Sequence, residues 1–167
     1  VTKATAQLMR DLGCVQSPMS AYMLNLGLES LHVRMARHCE NAQAVAEFLA
    51  AHPKIAYVNY CGLPGDKYHA LAEKYLPNGS CGVVSFGVKG GRAAAASFMG
   101  HLKVAAIETH VADARTCCLH PASSTHRQMN DEQLLAAGVM PDLVRMSCGL
   151  EDKQDLINDI AQALDQI

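Results

Sequence analysis

The sequence predicts an α+β sandwich in which helices cover a small, mostly antiparallel sheet. Three observations support this fold class. Short segments typical of strands alternate with segments of helical period, no part of the chain repeats another, and 50% of the 167 residues are hydrophobic. Charged residues make up 18% of the chain, so the composition suits one globular core and not a disordered chain.

The first 50 residues are helical in character and precede the sheet. Ser17 followed by Pro18 is typical of a helix start. Residues 21–28 are apolar on nearly every side, so this half of the segment needs a second partner to cover it, and Gly27 is a candidate for a bend. Farther on, apolar or small residues recur every three or four positions and predict one buried stripe, formed by Met35, Cys39, Ala42, Val45, Ala46 and Leu49.

The remaining elements follow in order along the chain. Strands are predicted in "HPKIAYVNY", in "CGVVSFGV", in "AAIETHVA" or "RTCCLH", and in "DLVRMSCG". Helices are predicted in "KYHALAEKYLP", "GGRAAAASFMGHL", "MNDEQLLAAGV" and the C-terminal "EDKQDLINDIAQALDQI". The last helix is amphipathic, and its inward side is predicted to consist of Leu156, Ile157, Ile160, Leu164 and Ile167.

Charge and hydropathy exclude several classes of function. The formal net charge is −2 and the basic residues are scattered, which gives no electrostatic basis for binding nucleic acid or an anionic membrane. No apolar run approaches the roughly 20 residues of a membrane span. The N-terminus has no features of a signal peptide and lacks an initiator Met, so we expect the chain to have been cut from a longer protein.

The seven cysteines are odd in number and show no paired spacing, which is typical of reduced thiols in a cytoplasmic protein. We expect no metal site among them. On a strand, Cys118 and His120 would share one face while Cys117 faces away, so three ligands do not converge.

Arg145 is the most conspicuous candidate for a functional side chain. It lies in the mostly apolar strand "DLVRMSCG", where a guanidinium must meet an anion because an unpaired buried charge is costly. One interpretation is an internal pair with an Asp or a Glu. The other is a bidentate clamp on a substrate carboxylate, which suits the planar fork of Arg better than Lys. The residues alone leave both interpretations open.

The stretch "LHPASSTHRQM", residues 119–129, concentrates polar groups around a proline. A structural hydrogen bond is the favoured interpretation for His120 and for His126, since hydroxyls after a proline bond to nearby backbone in turns. A hydrolase is disfavoured because no nucleophile elbow is present. "KGGR" is interpreted as a helix start rather than a phosphate loop, and no lysine has the small-residue, hydroxyl-rich setting of a Schiff-base site.

Several segments resemble one family in their order and spacing. These are "SPMSAYMLNLGLESLHVRMARHCENAQAVAEFLAAHP", "VNYCGLP", "YLPNGSCGVVSFGVKGG", "DARTCCLHPASSTHRQM" and "AAGVMPDLVRMSCGLEDKQDLINDI". The family is the pyridoxal-phosphate-dependent enzymes of Cys and Met metabolism, and the resemblance covers essentially the whole chain. "GLESLHVRMARH" and "DARTCCLHPASSTHRQM" favour the O-acetylhomoserine sulfhydrylase branch over the cystathionine enzymes.

The resemblance implies the C-terminal domain of an aspartate-aminotransferase-like, fold-type-I enzyme. Residues 1–50 would be the helical interdomain connection and residues 51–167 the small domain. A preceding large domain would bind pyridoxal 5′-phosphate through its Schiff-base lysine, so no catalytic or cofactor-binding residue is expected in this chain. The family pattern further implies a homotetramer.

The reaction that the resemblance implies is γ-replacement, in which acetate leaves Cγ of O-acetylhomoserine and sulfide or a thiol is added. Arg145 would hold the substrate α-carboxylate, and "HPASSTH" would be scaffold beside the site. Two positions depart from the family pattern in the backbone segment that also touches this carboxylate: His110 stands where the branch has Asn, and Ala112 where it has Gly.

Two kinds of alternative stay open at this point. Within the family, these are elimination of the methionine γ-lyase type and activities like those of cystathionine γ-synthase or cystathionine γ-lyase. Outside it, the chain could be a free-standing, non-catalytic module that binds a partner or a small anion.

Overall fold

The computed structural model describes all 167 residues, which form two compact units, residues 1–33 and 34–167. In the first unit a π-helical turn (Ala4–Met9) continues into α1 (Arg10–Leu12), and a loop leads to α2 (Pro18–Glu29). The predicted start of α2 is confirmed, because the Oγ atom of Ser17 accepts a hydrogen bond from the N–H of Ser20 at 3.1 Å. Helix α2 continues through Gly27, the candidate for a bend, and ends just before Ser30.

The second unit contains the sheet. Its strands are β1 (Ile55–Asn59), β2 (Val83–Val88), β3 (Ala106–Ile107), β4 (Cys117–Leu119) and β5 (Leu143–Ser147). Its helices are α3 (Leu31–Ala51, which begins in the first unit), α4 (His69–Tyr75), α5 (Gly91–His101), α6 (Asp131–Ala136) and α7 (Lys153–Asp165). The sequence predicted a strand in either "AAIETHVA" or "RTCCLH", and both segments contain one, β3 and β4 respectively.

The five strands form one sheet in the order β1-β2-β5-β4-β3. All neighbouring pairs are antiparallel except β3 and β4, which are parallel. This arrangement confirms the predicted α+β class and puts β5 at the centre of the sheet.

One face of the sheet forms the hydrophobic core. Alternate residues of β2 and β5, among them Phe86 and Met146, are fully buried there, as strand alternation predicts. Helices α3, α5 and α7 cover this face, and the edge of Phe98 from α5 meets the ring of Phe86 with centroids 5.7 Å apart.

The buried side of α3 differs from the predicted stripe at its N-terminal end. Met35 is 39% exposed and Cys39 only half-buried, whereas His38 is 2% exposed. The last four predicted positions, from Ala42 to Leu49, are fully buried as expected. The stripe includes His38 because Nδ1 of its imidazole has a hydrogen-bond partner inside the protein, which lowers the cost of burying the ring, although Nε2 is buried without a partner.

The opposite face of the sheet is only partly covered. Here Ser85 of β2 and Leu119 of β4 lie directly opposite Arg145 of β5, and the side chains of Ser85 and Arg145 are half-exposed. The fold thus places Arg145 at the middle of the sheet, on the face away from the core. None of the helices combines the length and the apolar character that crossing a membrane requires.

Candidate functional site

The candidate site is built around the guanidinium of Arg145. Its Nη2 atom donates a hydrogen bond to the backbone carbonyl of Thr109 at 2.8 Å. Its Nε atom is buried and has no hydrogen-bond partner. Two other buried side-chain atoms share this lack of a partner, Nε2 of His38 and Oδ1 of Asn41, but Arg145 is the one whose residue lies half-exposed on the sheet.

Arg145 forms no ion pair within the chain. Other arginines do pair with carboxylates, among them Arg10, Arg37, Arg92 and Arg115. The interpretation as an internal Arg–Asp or Arg–Glu pair is therefore excluded. The planar donors of a guanidinium without a carboxylate partner have the geometry to form two parallel hydrogen bonds with a carboxylate.

Residues 108–115 form a loop that joins β3 to β4 and passes over the end of β5. Besides its Thr109 carbonyl, the loop contributes the N–H of Ala112, which donates to the Oγ atom of Ser147 at 3.0 Å. Ala112 has φ of +59° and is the only non-glycine residue with positive φ. Ala112, where the resemblance leads us to expect Gly, thus has a backbone conformation that favours Gly.

His110 lies on the exposed part of this loop, with 67% of its side chain accessible. Its Nδ1 atom is 3.2 Å from Oε2 of Glu108 and 3.9 Å from Oδ2 of Asp113. Both carboxylates also contact Arg115, at 3.2 Å and 3.8 Å. A hydrogen bond from the backbone N–H of Arg115, together with the Arg115 and His110 charges, lowers the pKa of Asp113 despite partial desolvation.

The ligand atoms of Glu108, His110 and Asp113 lie within 4.8 Å of one another, a spacing that a cation could bridge. The Arg115 guanidinium already balances both carboxylates, however, and His110 is largely exposed. The cluster is accounted for by ion pairs that shape the loop.

The "HPASSTH" segment is a structural turn. The ring of His120 is held at both nitrogens, with Nδ1 2.8 Å from the Oγ atom of Ser123 and Nε2 2.9 Å from the carbonyl of Pro141. The hydroxyl of Ser124 donates to the His120 carbonyl at 2.7 Å. Neither ring nitrogen is left over for proton transfer, in agreement with the interpretation of His120 as a structural histidine.

Several lysines of the chain are committed to structural contacts. Lys54 donates to the carbonyls of Leu164 and Ile167, both at 2.7 Å, at the C-terminal end of α7. Lys89 donates to a backbone carbonyl, and Lys153 to the carboxylate of Glu40 at 2.9 Å. No strand residue is a lysine, so no ammonium group stands beside Arg145 on the sheet.

Sequence reasoning missed two polar groups next to the site. Thr116 and Glu151 bond to each other through two hydrogen bonds, although they lie 35 residues apart. The sequence does not predict this contact, because a threonine before a strand and an acidic residue near a helix start are both usually exposed to solvent. Only the fold brings them together.

Comparisons with known proteins show the family of the chain. The model of the family described as "Cys/Met metabolism PLP-dependent enzyme" matches residues 1–165. An O-acetyl-L-homoserine sulfhydrylase from Leptospira meyeri is 44% identical over 100% of this chain and 38% of its own length. O-acetyl-L-homoserine sulfhydrylase 1 from Thermus thermophilus is 41% identical over 98% of this chain and 39% of its own.

The fold is shared with a solved structure as well. A proposed O-acetylhomoserine (thiol)-lyase from Campylobacter jejuni, in which a lysine carries pyridoxyl phosphate, superposes with a TM-score of 0.88 and 37% identity. The match covers 98% of this chain and 39% of that one. The chain thus spans about two fifths of the length of the relatives it matches.

Proposed function

The chain belongs to the pyridoxal-phosphate-dependent enzymes of Cys and Met metabolism, and from this membership we propose that it supplies the substrate-carboxylate site of an O-acetylhomoserine sulfhydrylase. In the proposed reaction the acetate on Cγ of O-acetylhomoserine is replaced by sulfide or a thiol. The observation that carries the proposal is the guanidinium of Arg145, which lies on the partly open face of the sheet without a carboxylate partner.

Arg145 is preorganised to receive the α-carboxylate. The Thr109 carbonyl restrains one end of the guanidinium, while the Nε donor remains unsatisfied. A carboxylate oxygen at Nε would remove this deficit, and its second oxygen can accept from a neighbouring N–H of the same planar group. The exposed backbone at His110 lies next to Thr109, and we include it in the proposed site.

The contribution of Arg145 to the reaction is orientation. Holding the carboxylate fixes Cα, and with it the position of Cγ relative to the groups that carry out the replacement. The pyridoxal phosphate of the family supplies an electron sink when bound. Of the seven lysines of this chain, Lys54, Lys89 and Lys153 are tied to carbonyls or to a carboxylate, and none of the seven lies on a strand beside Arg145.

We therefore propose that a separate, preceding domain holds the cofactor, with residues 1–50 as the helical connection and residues 51–167 as the small domain. The surface of α2 supports this assignment, because none of its residues is buried. Its large apolar side chains, each more than half exposed, are Met19, Tyr22, Met23, Leu24, Leu26 and Leu28. Such a surface needs cover from another domain or another copy, as in the cytoplasmic homotetramer that we propose.

The proposal is tested by replacing Arg145 with Ala in the cofactor-loaded enzyme that contains this chain. Loss of a charge-assisted clamp typically costs a few kcal/mol, so kcat/KM for O-acetylhomoserine is expected to fall roughly 100-fold. Cofactor absorbance near 420 nm should stay unchanged, since Arg145 does not hold the cofactor. The matched control is Arg127→Ala, which removes an exposed guanidinium from the 119–129 turn.

Unchanged kinetics in Arg145→Ala would rule out the carboxylate role. The same assay without sulfide or thiol, with release of a 2-oxo acid as the readout, separates replacement from elimination. A rate that is independent of the sulfur nucleophile would assign the chain to a γ-lyase instead.

A further inference from the structure

We propose that Thr116 and Glu151 are positioning residues for Arg145. Together they hold the 108–115 loop in the place where its Thr109 carbonyl meets the guanidinium. The inference rests on the proposed role of Arg145 and adds the residues that hold its guanidinium in position to bind the carboxylate. Neither Thr116 nor Glu151 is proposed to touch the substrate.

Thr116 stands at the point where the loop enters β4, and it is fully buried. Its hydroxyl donates to Oε2 of Glu151 at 2.8 Å and accepts from the N–H of Gly149 at 2.8 Å. Its own N–H donates to Oε1 of Glu151 at 2.6 Å. Every one of these bonds joins the end of the loop to the turn that follows β5, and two of them are charge-assisted.

The two segments approach each other so closely that only a glycine fits between them. A Cβ atom on Gly149 would lie 2.5 Å from the carbonyl oxygen of Ala114 and 2.5 Å from the carbonyl carbon of Arg115. The N–H of Leu150 donates to the Ala114 carbonyl at 2.8 Å. The loop therefore follows any movement of the 148–151 turn.

The 148–151 turn is in turn fixed to α3. Nδ1 of His38 lies 2.6 Å from the carbonyl of Cys148. The side-chain amide of Asn41 donates to the carbonyls of Gly149 and Glu151, at 2.9 Å and 2.8 Å. His38 and Asn41 are buried on the side of α3 that packs into the core, so the turn has a rigid support.

The opposite end of the loop contacts Arg145 and its strand. The Thr109 carbonyl accepts from Nη2 of Arg145, and the Ala112 N–H donates to Ser147 two residues farther along β5. Between residues 109 and 115, all side chains are exposed except that of Asp113, which is half-buried. Apolar packing contributes little to the position of such a segment, so its hydrogen-bonded ends determine where it lies.

The loop matters to the clamp because Arg145 has no acidic partner of its own. The Thr109 carbonyl is the group that restrains its guanidinium. If the loop moves, the guanidinium loses this restraint and its donors turn away from the carboxylate position. Misplacement by about 1 Å can cost as much as 100-fold in rate, even when the change lies outside the reacting groups.

The test compares Thr116→Val with Thr116→Ser in the cofactor-loaded enzyme that contains this chain. Valine has nearly the shape of threonine but lacks the hydroxyl that bonds to Glu151 and Gly149, whereas serine keeps it. We expect KM for O-acetylhomoserine to rise roughly 10-fold or more in Thr116→Val and to stay within about 2-fold in Thr116→Ser. The KM for sulfide should not change in either variant.

A purely structural role would give a different pattern. Partial unfolding lowers the active fraction, so it reduces kcat for both substrates and leaves both KM values unchanged. The second readout is amide hydrogen exchange, which does not depend on activity. We expect faster exchange in residues 109–115 and in the N–H groups of Gly149 and Leu150 in Thr116→Val, with the central strands β2 and β5 unaffected.

Two outcomes separate this inference from the proposed function. If Arg145→Ala has no effect, Arg145 does not bind the substrate carboxylate, and the positioning role of Thr116 and Glu151 is overturned as well. If Arg145→Ala is impaired but Thr116→Val matches Thr116→Ser in KM and exchange, the positioning role alone is overturned. Should Thr116→Val fail to fold, Glu151→Gln takes its place, because glutamine removes the negative charge from both bonds and has a single acceptor oxygen for the Thr116 N–H and hydroxyl. The same rise in KM is expected, and unaltered KM would overturn the inference.

Discussion

Ala112 shows how a single Cβ atom stores strain beside the site. Its φ of +59° lies in the left-handed region, which a residue with a side chain occupies at a cost of about 1–2 kcal/mol. The conformation persists because the Ala112 N–H is bonded to Ser147 and the loop is held at both ends. The strain is local, and removing it needs no other change in the structure.

Ala112→Gly is therefore expected to leave the free energy of unfolding unchanged or raise it by up to about 1 kcal/mol. The relief of strain outweighs, or at least offsets, the greater freedom of glycine in the unfolded chain. The control is Ala114→Gly, two residues away, where φ is not positive. There the substitution only increases the conformational entropy of the unfolded chain. In urea denaturation, the free energy of unfolding of this control should be lower by about 0.4–1 kcal/mol. Equal losses in the two variants would show that Ala112 is not strained.

Arg145 could be singled out from the sequence, whereas its surroundings could not. A charged side chain in the middle of an apolar strand is conspicuous, and alternation along the strand predicts that it lies on the face away from Val144 and Met146. The partners of the guanidinium depend on the path of the 108–115 loop. That path is set by bonds between residues 35 positions apart, and short-range patterns do not report such contacts.

Helix α7 illustrates the same limit for an element. The prediction of its inward side is confirmed for Leu156, Ile160 and Leu164, which are at most 1% exposed. Asp159 lies among them and is 4% exposed, although an acid in an amphipathic helix reads as a solvated position. The carboxylate is buried because it binds the backbone between α5 and β3.

Asp159 binds three successive N–H groups of the α5–β3 connection. Its Oδ1 atom accepts from Lys103 at 2.8 Å, and its Oδ2 atom from Val104 and Ala105 at 2.9 Å and 3.0 Å. Since β3 begins directly after these residues, the carboxylate also sets where β3 joins the sheet. Asp159 thereby links the C-terminal helix to the strand that leads into the site loop.

Asp159→Ala is expected to lower the free energy of unfolding by about 2–3 kcal/mol, because it removes the acceptor of several charge-assisted hydrogen bonds and leaves the donors unpaired. The control is Asp155→Ala, which removes the same charge from an exposed position in the first turn of α7. In that variant the free energy of unfolding should fall by no more than about 1 kcal/mol. Chemical denaturation of both variants measures the difference. Equal losses would mean that the backbone contacts of Asp159 do not contribute to stability.

At the scale of the whole molecule, the sequence could predict the elements but not their order in the sheet. Periods of two and of 3.6 residues locate β2, β5 and α7 because those patterns are local. The placement of β5 between β2 and β4, and the parallel pairing of β3 with β4, are decided by contacts between distant parts of the chain. The functional consequence is that the central strand carries Arg145.

All seven cysteines are free thiols; three are buried, and two of these, Cys118 and Cys148, belong to the main hydrophobic core. Burial raises the pKa of Cys148 from its usual value near 9 to about 12, with a further contribution from the charge of Glu151. Burial likewise raises the pKa of Cys118. Both thiols are therefore neutral in the folded protein at pH values where they would ionise in the unfolded chain.

This difference makes the folded state sensitive to alkali. A group with a raised pKa in the folded state contributes stability that is fully present below the unfolded pKa and is lost as pH rises towards the folded pKa. Between pH 9 and 10 the unfolded chain releases thiol protons that the folded chain retains, so the free energy of unfolding should fall. Each such thiol adds a slope that approaches about 1.4 kcal/mol per pH unit.

Cys148→Ala isolates the contribution of one thiol, since the readout is the slope of stability against pH and not the stability itself. Urea denaturation at several pH values between 8.5 and 10 gives the free energy of unfolding as a function of pH. In Cys148→Ala this free energy should fall less steeply with pH, by about the contribution of one thiol. The control is Cys14→Ala, which removes an exposed thiol and should leave the slope as it is. Burial also raises the pKa of Tyr57 and Tyr60, so these phenols add to the fall in stability only as pH approaches their unfolded-state pKa near 10, and they do so equally in both variants. A slope that Cys148→Ala does not alter would mean that this thiol ionises equally well in the folded protein, and that the core around β5 is open to water.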